Sequence, residues 1–186
     1  MNPSGHLPFA WAEMKDYCTK INELGQGNRS PDNQFKYDYT EGLYVGQRWF
    51  NKKNKKPVFP FGFGLTYTTF DYSDLKVNMN EEGLFAEFNV KNDGSVSGSA
   101  VPMMFLSFPD SIGDYPKYIF KGFEKIELDP GETKNVIIKA DAHALSYFNV
   151  KDNKYVRVND GTIEVYIAEN GDPSQAILSG KVDSKY

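Results

Sequence analysis

The sequence predicts a mainly β protein: a β-sandwich of about seven strands over residues 71–186, preceded by a loop-rich segment. Three observations carry this. Apolar and polar residues alternate at period two through most of the second part of the chain, which turns one face of each strand inward. Turn signals separate these runs at short intervals: Asp93-Gly94, "DPGE" at 129–132, "NDG" at 159–161 and "NGDPS" at 170–174. No sustained helical period is present beyond a weak stretch around Trp11 to Leu24. Short strands, regular turns and little helix together indicate two antiparallel sheets packed face to face.

The elements follow in order. "SDLKVNMN" alternates around Leu75, Val77 and Met79, and "GLFAEFNVKND" through Leu84, Ala86, Phe88 and Val90. Asp93-Gly94 marks a tight reversal. "AVPMMFLSF" is a nearly continuous apolar run, as expected of a central strand with both faces covered. "YIFKGFEKIEL" alternates at Phe120, Phe123, Ile126 and Leu128, and "TKNVIIKA" follows the DPGE turn. "TIEVYIAE" sets Ile163, Val165 and Ile167 on one face, and "QAILSGKV" closes the domain. Before Phe70 the texture differs. "GLYVGQRWF" at 42–50 is apolar and aromatic, and is either a buried strand or a short helix. "NKKNKKPV", with Lys52, Lys53, Lys55 and Lys56, reads as a solvated turn closed by Pro57 rather than an anion site.

Composition excludes several classes. The chain has 186 residues, 40% hydrophobic and 15% aromatic, ample for a core. A net charge of −4 gives no nucleic-acid footprint. No run is long and apolar enough for a membrane span. The first residues, "MNPSGHLPFAWAEMKDYC", lack a basic region followed by an apolar one, so no secretory signal is expected. The single cysteine, Cys18, excludes an intrachain disulfide.

Several motifs then converge. "FPFGFGLTYTTFDYSDLKV" at 59–77 resembles the hinge segment of glycoside hydrolase family 3 enzymes, the β-glucosidases and β-xylosidases. "NPSGHLPF" at 2–9, "YTEGLYVGQRWF" at 39–50 and "FKGFEKIELDPGETKNV" at 120–136 resemble further segments of the same family, in the same order. "ALSYFN" at 144–149 resembles a turn of its C-terminal domain. The resemblance implies that residues 1–58 are the end of an α/β sandwich domain, 59–70 a linker, and 71–186 a fibronectin type III-like domain of the immunoglobulin-like sandwich class. In the linker, Gly62 and Gly64 allow close approach or positive φ, and the aromatics anchor it between two surfaces. A sugar-stacking role for Phe61, Phe63 or Tyr67 is the alternative.

Glycoside hydrolysis uses two carboxyl groups flanking the scissile bond. In this family both come from segments before the N-P-S-G motif, so no catalytic residue is expected within this chain. Asp32, Asp38 and Glu41 are the carboxylates in its loop-rich part, with structural roles preferred and a Glu41–Arg48 ion pair conceivable. Arg48 matches a family arginine and reads as a buried or stacked structural cation. Gln47 replaces the family's tyrosine, and Phe63 its histidine.

Other constellations are weak. His6, His143 and Cys18 make no recognisable zinc spacing. Asp110, Asp114 and Asp129 read as turn residues rather than a calcium site, and Asn28-Arg29-Ser30 is a sequon relevant only to a secreted chain. No metal, cofactor or known substrate-binding residue is expected.

The expected function is the C-terminal structural portion of a family 3 β-glycosidase, inactive alone. Its partners would be the N-terminal catalytic domains or a second copy. A free-standing carbohydrate-binding or interaction module is the alternative, with a β-linked glycan as ligand and Tyr115 and Tyr118 of "DYPKY" as its candidates. The parent family is often secreted or periplasmic. Separated from its neighbours, the chain is expected to expose apolar surface around "GLYVGQRWF" and "FPFGFG", and to be disordered before about residue 38, to self-associate or to dock.

Overall fold

The structure is a computed structural model that describes residues 2–17 and 41–185. From Phe70 the chain forms eleven strands: β1 (Phe70–Asn80), β2 (Gly83–Asn92), β3 (Gly98–Ala100), β4 (Met103–Ser107), β5 (Ile119–Phe123), β6 (Ile126–Leu128), β7 (Thr133–Asp141), β8 (Ser146–Asn149), β9 (Lys154–Arg157), β10 (Thr162–Ala168) and β11 (Leu178–Asp183). A three-stranded sheet runs β1-β2-β7 and a four-stranded sheet runs β11-β10-β4-β5, all antiparallel. These two sheets supply the seven expected strands. The short pairs β3-β6 and β8-β9 are additions to them.

The core lies between the sheets. Leu84, Ala86, Phe88 and Val90 of β2 and Val136, Ile138 and Ala140 of β7 meet Met104 and Leu106 of β4 and Ile163, Val165 and Ile167 of β10. Strand β10 follows the period-two expectation, and β4 is buried along its whole length. Two glycines leave room for side chains of the facing sheet. A Cβ on Gly180 of β11 would meet the Val77 Cγ2 of β1 at 2.9 Å, and one on Gly122 of β5 would meet the Ile138 Cγ2 of β7 at 2.9 Å. Larger residues there would wedge the layers apart.

The Asp93-Gly94 reversal is not a hairpin. Strand β2 pairs with β1 and β7, and the chain leaves it to cross to the other layer. Buried Asn92 explains the path. Its Oδ1 accepts hydrogen bonds from the Gly94 N–H and the Thr68 hydroxyl, and its Nδ2 donates to the Val96 and Leu128 carbonyls at 2.9 and 3.0 Å. One side chain thereby satisfies the backbone of a bend that has no ladder partner. In β1, Asp74 at φ +59° marks a register shift between Ser73 and Lys76, and its carboxylate accepts from Ser73 and Asn89.

Two further expectations are corrected. Phe120 and Phe123 face outward on β5 rather than into the core. The register shifts between Met104 and Phe105 where β4 pairs with β5, and this irregularity breaks the simple alternation. The β8–β9 hairpin carries no strong signal, since "SYFN" reads as a turn and the reversal uses Asn153 at φ +50°.

Before the sandwich, "GLYVGQRWF" resolves as a helix, α1 (Gln47–Lys52). Six residues do not hold a helix in water. Here Phe50 is buried against Ala10 and Ala12, with the Tyr17 ring edge-on at 5.7 Å. Lys52, Lys53, Lys55 and Lys56 are exposed, as expected. Of the weak helical stretch around Trp11 to Leu24, a single 3-10 turn, Met14–Asp16, is seen. Its remainder, Cys18, the sequon, Asp32, Asp38 and most of the expected disorder before residue 38 lie outside the described residues. No helix among the described residues is long and apolar enough to cross a membrane.

Candidate functional site

Chemistry-bearing residues collect where the N-terminal segment, the linker and the sandwich meet. The linker lies between two partners. On one side it pairs antiparallel with the N-terminal segment, through Trp11 N–H to Phe59 O at 2.7 Å, Leu7 N–H to Phe63 O at 2.9 Å and Gly62 N–H to Leu7 O at 2.8 Å. On the other, Gly171 N–H donates to Phe61 O at 2.6 Å. The Phe61 ring packs edge-on against Phe120 at 5.1 Å, within an aromatic group that includes Phe105 and Tyr118. The outward-facing Phe120 is therefore the landing site of the linker.

Gly62 has both properties that call for glycine. Its φ is +82°, and an added Cβ would lie 2.8 Å from the Met103 sulfur and 3.1 Å from the Asn170 Cα. Gln47 locks the arrangement. Its Oε1 accepts from the Phe61 N–H at 3.0 Å, its Nε2 donates to Asn51 Oδ1 at 2.8 Å, and Asn51 Nδ2 donates to the Gly171 carbonyl at 3.3 Å. Asn2 does the same lower down, accepting from the Tyr67 N–H at 2.7 Å and donating to the Thr66 hydroxyl at 3.0 Å.

Two surfaces flank this joint. The first is apolar and open, lined by Pro3, Leu7, Trp11, Phe59, Phe63 and Leu65. Trp11 is 55%, Leu65 68% and Tyr67 73% exposed, so these side chains stand open among the described residues. The second is a polar cleft of about 590 Å³ between α1 and the outer face of the four-stranded sheet. Tyr44, Arg48, Asn51, Tyr115, Tyr118 and Tyr166 line it, with Lys52, Asp110, Lys117 and Glu164.

Each acidic group at the cleft has a cationic partner. Lys117 pairs with Asp110 at 2.6 Å, and Lys52 with Asp114 at 3.2 Å. Glu164 accepts from Lys181 at 2.9 Å and from the Tyr166 hydroxyl at 2.8 Å. The bond from Lys181, then that from Tyr166, hold the Glu164 carboxyl below its ordinary range. The Tyr44 hydroxyl and then Lys52 do the same for Asp114. Burial pushes the Tyr118 hydroxyl up, as it does that of Tyr115.

The residues singled out from sequence are distributed unevenly. Arg48, Asp110, Tyr115 and Tyr118 come together in the cleft, and Asp114 reaches its rim through Lys52 and Tyr44. His6 packs beneath Gly64, whose Cβ would lie 2.8 Å from the ring. His143 contacts Tyr155 on the β8–β9 side at 4.7 Å. Glu41 and Arg48 form no ion pair among the described residues. The Asp129 carboxylate accepts from the Ser97 hydroxyl at 2.8 Å, and its N–H donates to Glu132 Oε2 at 2.8 Å across the turn. Among the described residues no group of three or more His, Cys, Asp or Glu side chains suits a metal. Sequence reading noted Gln47 only as a departure from the family pattern, and did not place Tyr44 or Tyr166 at a site. The spacing of four from Gln47 to Asn51 matches one turn of helix, but only the fold shows that this turn faces Gly171.

A family model, the fibronectin type III-like domain, matches residues 100–170. The chain is 35% identical over 188 aligned residues to a probable β-glucosidase L of Aspergillus fumigatus, covering 90% of this chain and 24% of that protein. It is 31% identical to β-glucosidase BoGH3A of Bacteroides ovatus, covering 100% of this chain and 24% of that protein. The structure superposes on β-glucosidase 3B of Thermotoga neapolitana with a TM-score of 0.85 at 31% identity, over 100% of this chain and 25% of that one. The chain belongs to the C-terminal, fibronectin type III-like part of glycoside hydrolase family 3. It spans about a quarter of the length of these relatives.

Two departures from the family pattern are now interpretable. Gln47, in place of tyrosine, supplies the amide that ties linker, helix and sandwich together. Phe63, in place of histidine, packs at a tilt against Phe59 at 4.7 Å and extends the apolar face. The family 3 linker of this chain is held by ring packing and amide bonds at positions where the pattern has a phenol and an imidazole.

Proposed function

We propose that this chain is the C-terminal structural portion of a family 3 β-glycosidase. Residues 1–58 complete an α/β domain, 59–70 link it, and 71–186 form the sandwich that buttresses it. The parent reaction is hydrolysis of terminal β-D-glucosidic or β-xylosidic bonds, with both catalytic carboxyl groups on other segments and none in this chain. The observation that carries this reading is the open apolar face of Trp11, Phe59, Phe63, Leu65 and Tyr67. It lies on the segment that would run into the rest of the α/β domain, and burying it is strongly favourable, at roughly 25 cal/mol per Å².

The test is to assay the purified chain on aryl β-glucosides and β-xylosides, alone and mixed with a barrel-plus-middle-domain fragment of a family 3 enzyme. The expected outcome is no turnover alone and a gain in activity or thermal stability on mixing. Trp11→Ser should abolish most of that gain while leaving the unfolding midpoint of the chain itself unchanged. Turnover by the chain alone would overturn the reading.

A further inference from the structure

We propose that the cleft between α1 and the outer face of the four-stranded sheet binds a small aromatic monocarboxylate, and that Arg48 holds its carboxylate. This goes beyond docking to the rest of the enzyme and uses a different surface of the joint.

The first support is charge. Ion pairs border the cleft: Lys117 with Asp110, Lys52 with Asp114 and Lys181 with Glu164. Arg48 is the cation left over. It lines the cleft half-buried, and its side chain enters no hydrogen bond or ion pair among the described residues. A guanidinium cannot shed its proton when water is withdrawn, so it keeps a charge that calls for a counter-ion. The neighbours feel that charge. Burial pushes the Tyr115 hydroxyl up, and Arg48 opposes the rise. Lys121, with its Nζ 5.0 Å from the centre of the Phe108 ring, is held below the ordinary lysine range by burial and, against the pull of Asp141, by Arg48. Lys121 also forms no ion pair among the described residues. Tyr115 stacks on that same Phe108 ring, so the Tyr115 side of the cleft carries positive potential with no carboxylate in contact.

The second support is the kind of anion this suits. The planar fork of guanidinium N–H donors matches the two oxygens of a carboxylate. The Tyr115 hydroxyl, which has no hydrogen-bond partner among the described residues, is a further donor on the same walls. A phosphate monoester brings about two negative charges at pH 7. That exceeds what Arg48 leaves over, and the surplus would face Asp110 and Glu164 in the same cleft. A single negative charge is the better match.

The walls decide the body of the ligand. Tyr44, Tyr115 and Tyr166 line the cleft, each half-buried and so still partly open to it. Aromatic rings gain from offset or edge-on contact with another ring beyond the area they bury. A volume of about 590 Å³ lies in the range of small-molecule sites, about 300–1,000 Å³.

The experiment titrates benzoate, acetate, benzyl alcohol and phenyl phosphate separately into the full 186-residue chain and follows amide NMR shifts. Benzoate should give saturable shifts at Arg48, Tyr115 and Tyr166. Acetate lacks the ring, benzyl alcohol lacks the charge and phenyl phosphate carries too much of it, so each should bind more weakly. Arg48→Gln should weaken benzoate about ten- to a hundredfold, the loss of a charge-assisted hydrogen-bonded pair. Glu164→Gln leaves Arg48 untouched and removes a neighbouring negative charge, so it should tighten benzoate about two- to fivefold, which keeps the proposal open to refutation if the Arg48 variant does not fold. No saturable shift with benzoate, equal binding of acetate, benzyl alcohol or phenyl phosphate, unchanged binding by a folded Arg48→Gln, or weaker binding by Glu164→Gln would each overturn the proposal. The mixing assay reads the apolar face instead, so its result is independent of this one.

Discussion

The sandwich and the joint in front of it are built on opposite terms. In the sandwich, Leu84, Phe88, Leu106, Ile163 and Ile167 are all fully buried, and each strand of the two large sheets is paired within this chain. In the joint, Phe50 is the one large side chain with complete cover among the described residues, while Trp11, Leu65 and Tyr67 stand open. What holds the joint is polar: Gln47, Asn51 and Asn2 bridging backbone groups. The sandwich can fold on its own burial. The joint is kept in shape by hydrogen bonds worth about 1 kcal/mol each, and its apolar face awaits a partner.

The comparison can be broken from the strong side first. Phe88→Ala in the core should cost about 3–5 kcal/mol, through lost burial and a cavity, read as a large drop in the urea midpoint. A cost under about 1 kcal/mol would mean that the layers collapse onto the gap and the core is loosely packed. Asn92→Ala comes next, at about 2–3 kcal/mol, because the Gly94 N–H and the Val96 and Leu128 carbonyls lose their partner inside the fold. The same denaturation curve checks it, with the added sign of faster amide exchange at Gly94.

Gln47→Ala should cost the whole chain about 1 kcal/mol or less, but should raise hydrogen exchange at the Phe61 and Gly62 amides while the strands of the sandwich stay protected. If exchange rises equally in β2 and β10, joint and sandwich form one cooperative unit and the division fails. The smallest effect belongs to acid. The Asp114 carboxyl, held low by the Tyr44 hydroxyl and Lys52, contributes stability above its ordinary pKa of 3.8. That contribution is lost as pH falls through its lowered native value. Because Asp114 is exposed, Asp114→Asn should lower stability only slightly near pH 7 and make no difference at the acid end, where the native carboxyl is itself protonated.

Much of the sandwich was legible from period two alone. Ile163, Val165 and Ile167 fall in the core because β10 is flanked on both sides and has no irregularity. Phe120 and Phe123 were misplaced because a register shift in the β4–β5 pairing is invisible to a pattern that assumes an unbroken ladder. The cleft was half legible. Tyr115 and Tyr118 stood out as neighbours in one loop, whereas Tyr44 and Tyr166 reach the same space from 74 and 48 residues away, and no local pattern joins them. Gln47 looked like a departure from its family and is the residue on which the joint turns.

The sequence by itself determined the mainly β class, the pair of sheets and the family motifs in their order. Those depend on local alternation and turn chemistry, which a linear pattern carries. Tertiary structure alone decided that Gln47–Lys52 is a helix, that Asp93-Gly94 changes layer instead of forming a hairpin, and that Phe120 receives Phe61. It also decided that the Tyr118 ring is buried against Phe105. Each of these depends on which distant backbone a side chain meets, and burial and hydrogen-bond satisfaction are properties of that meeting.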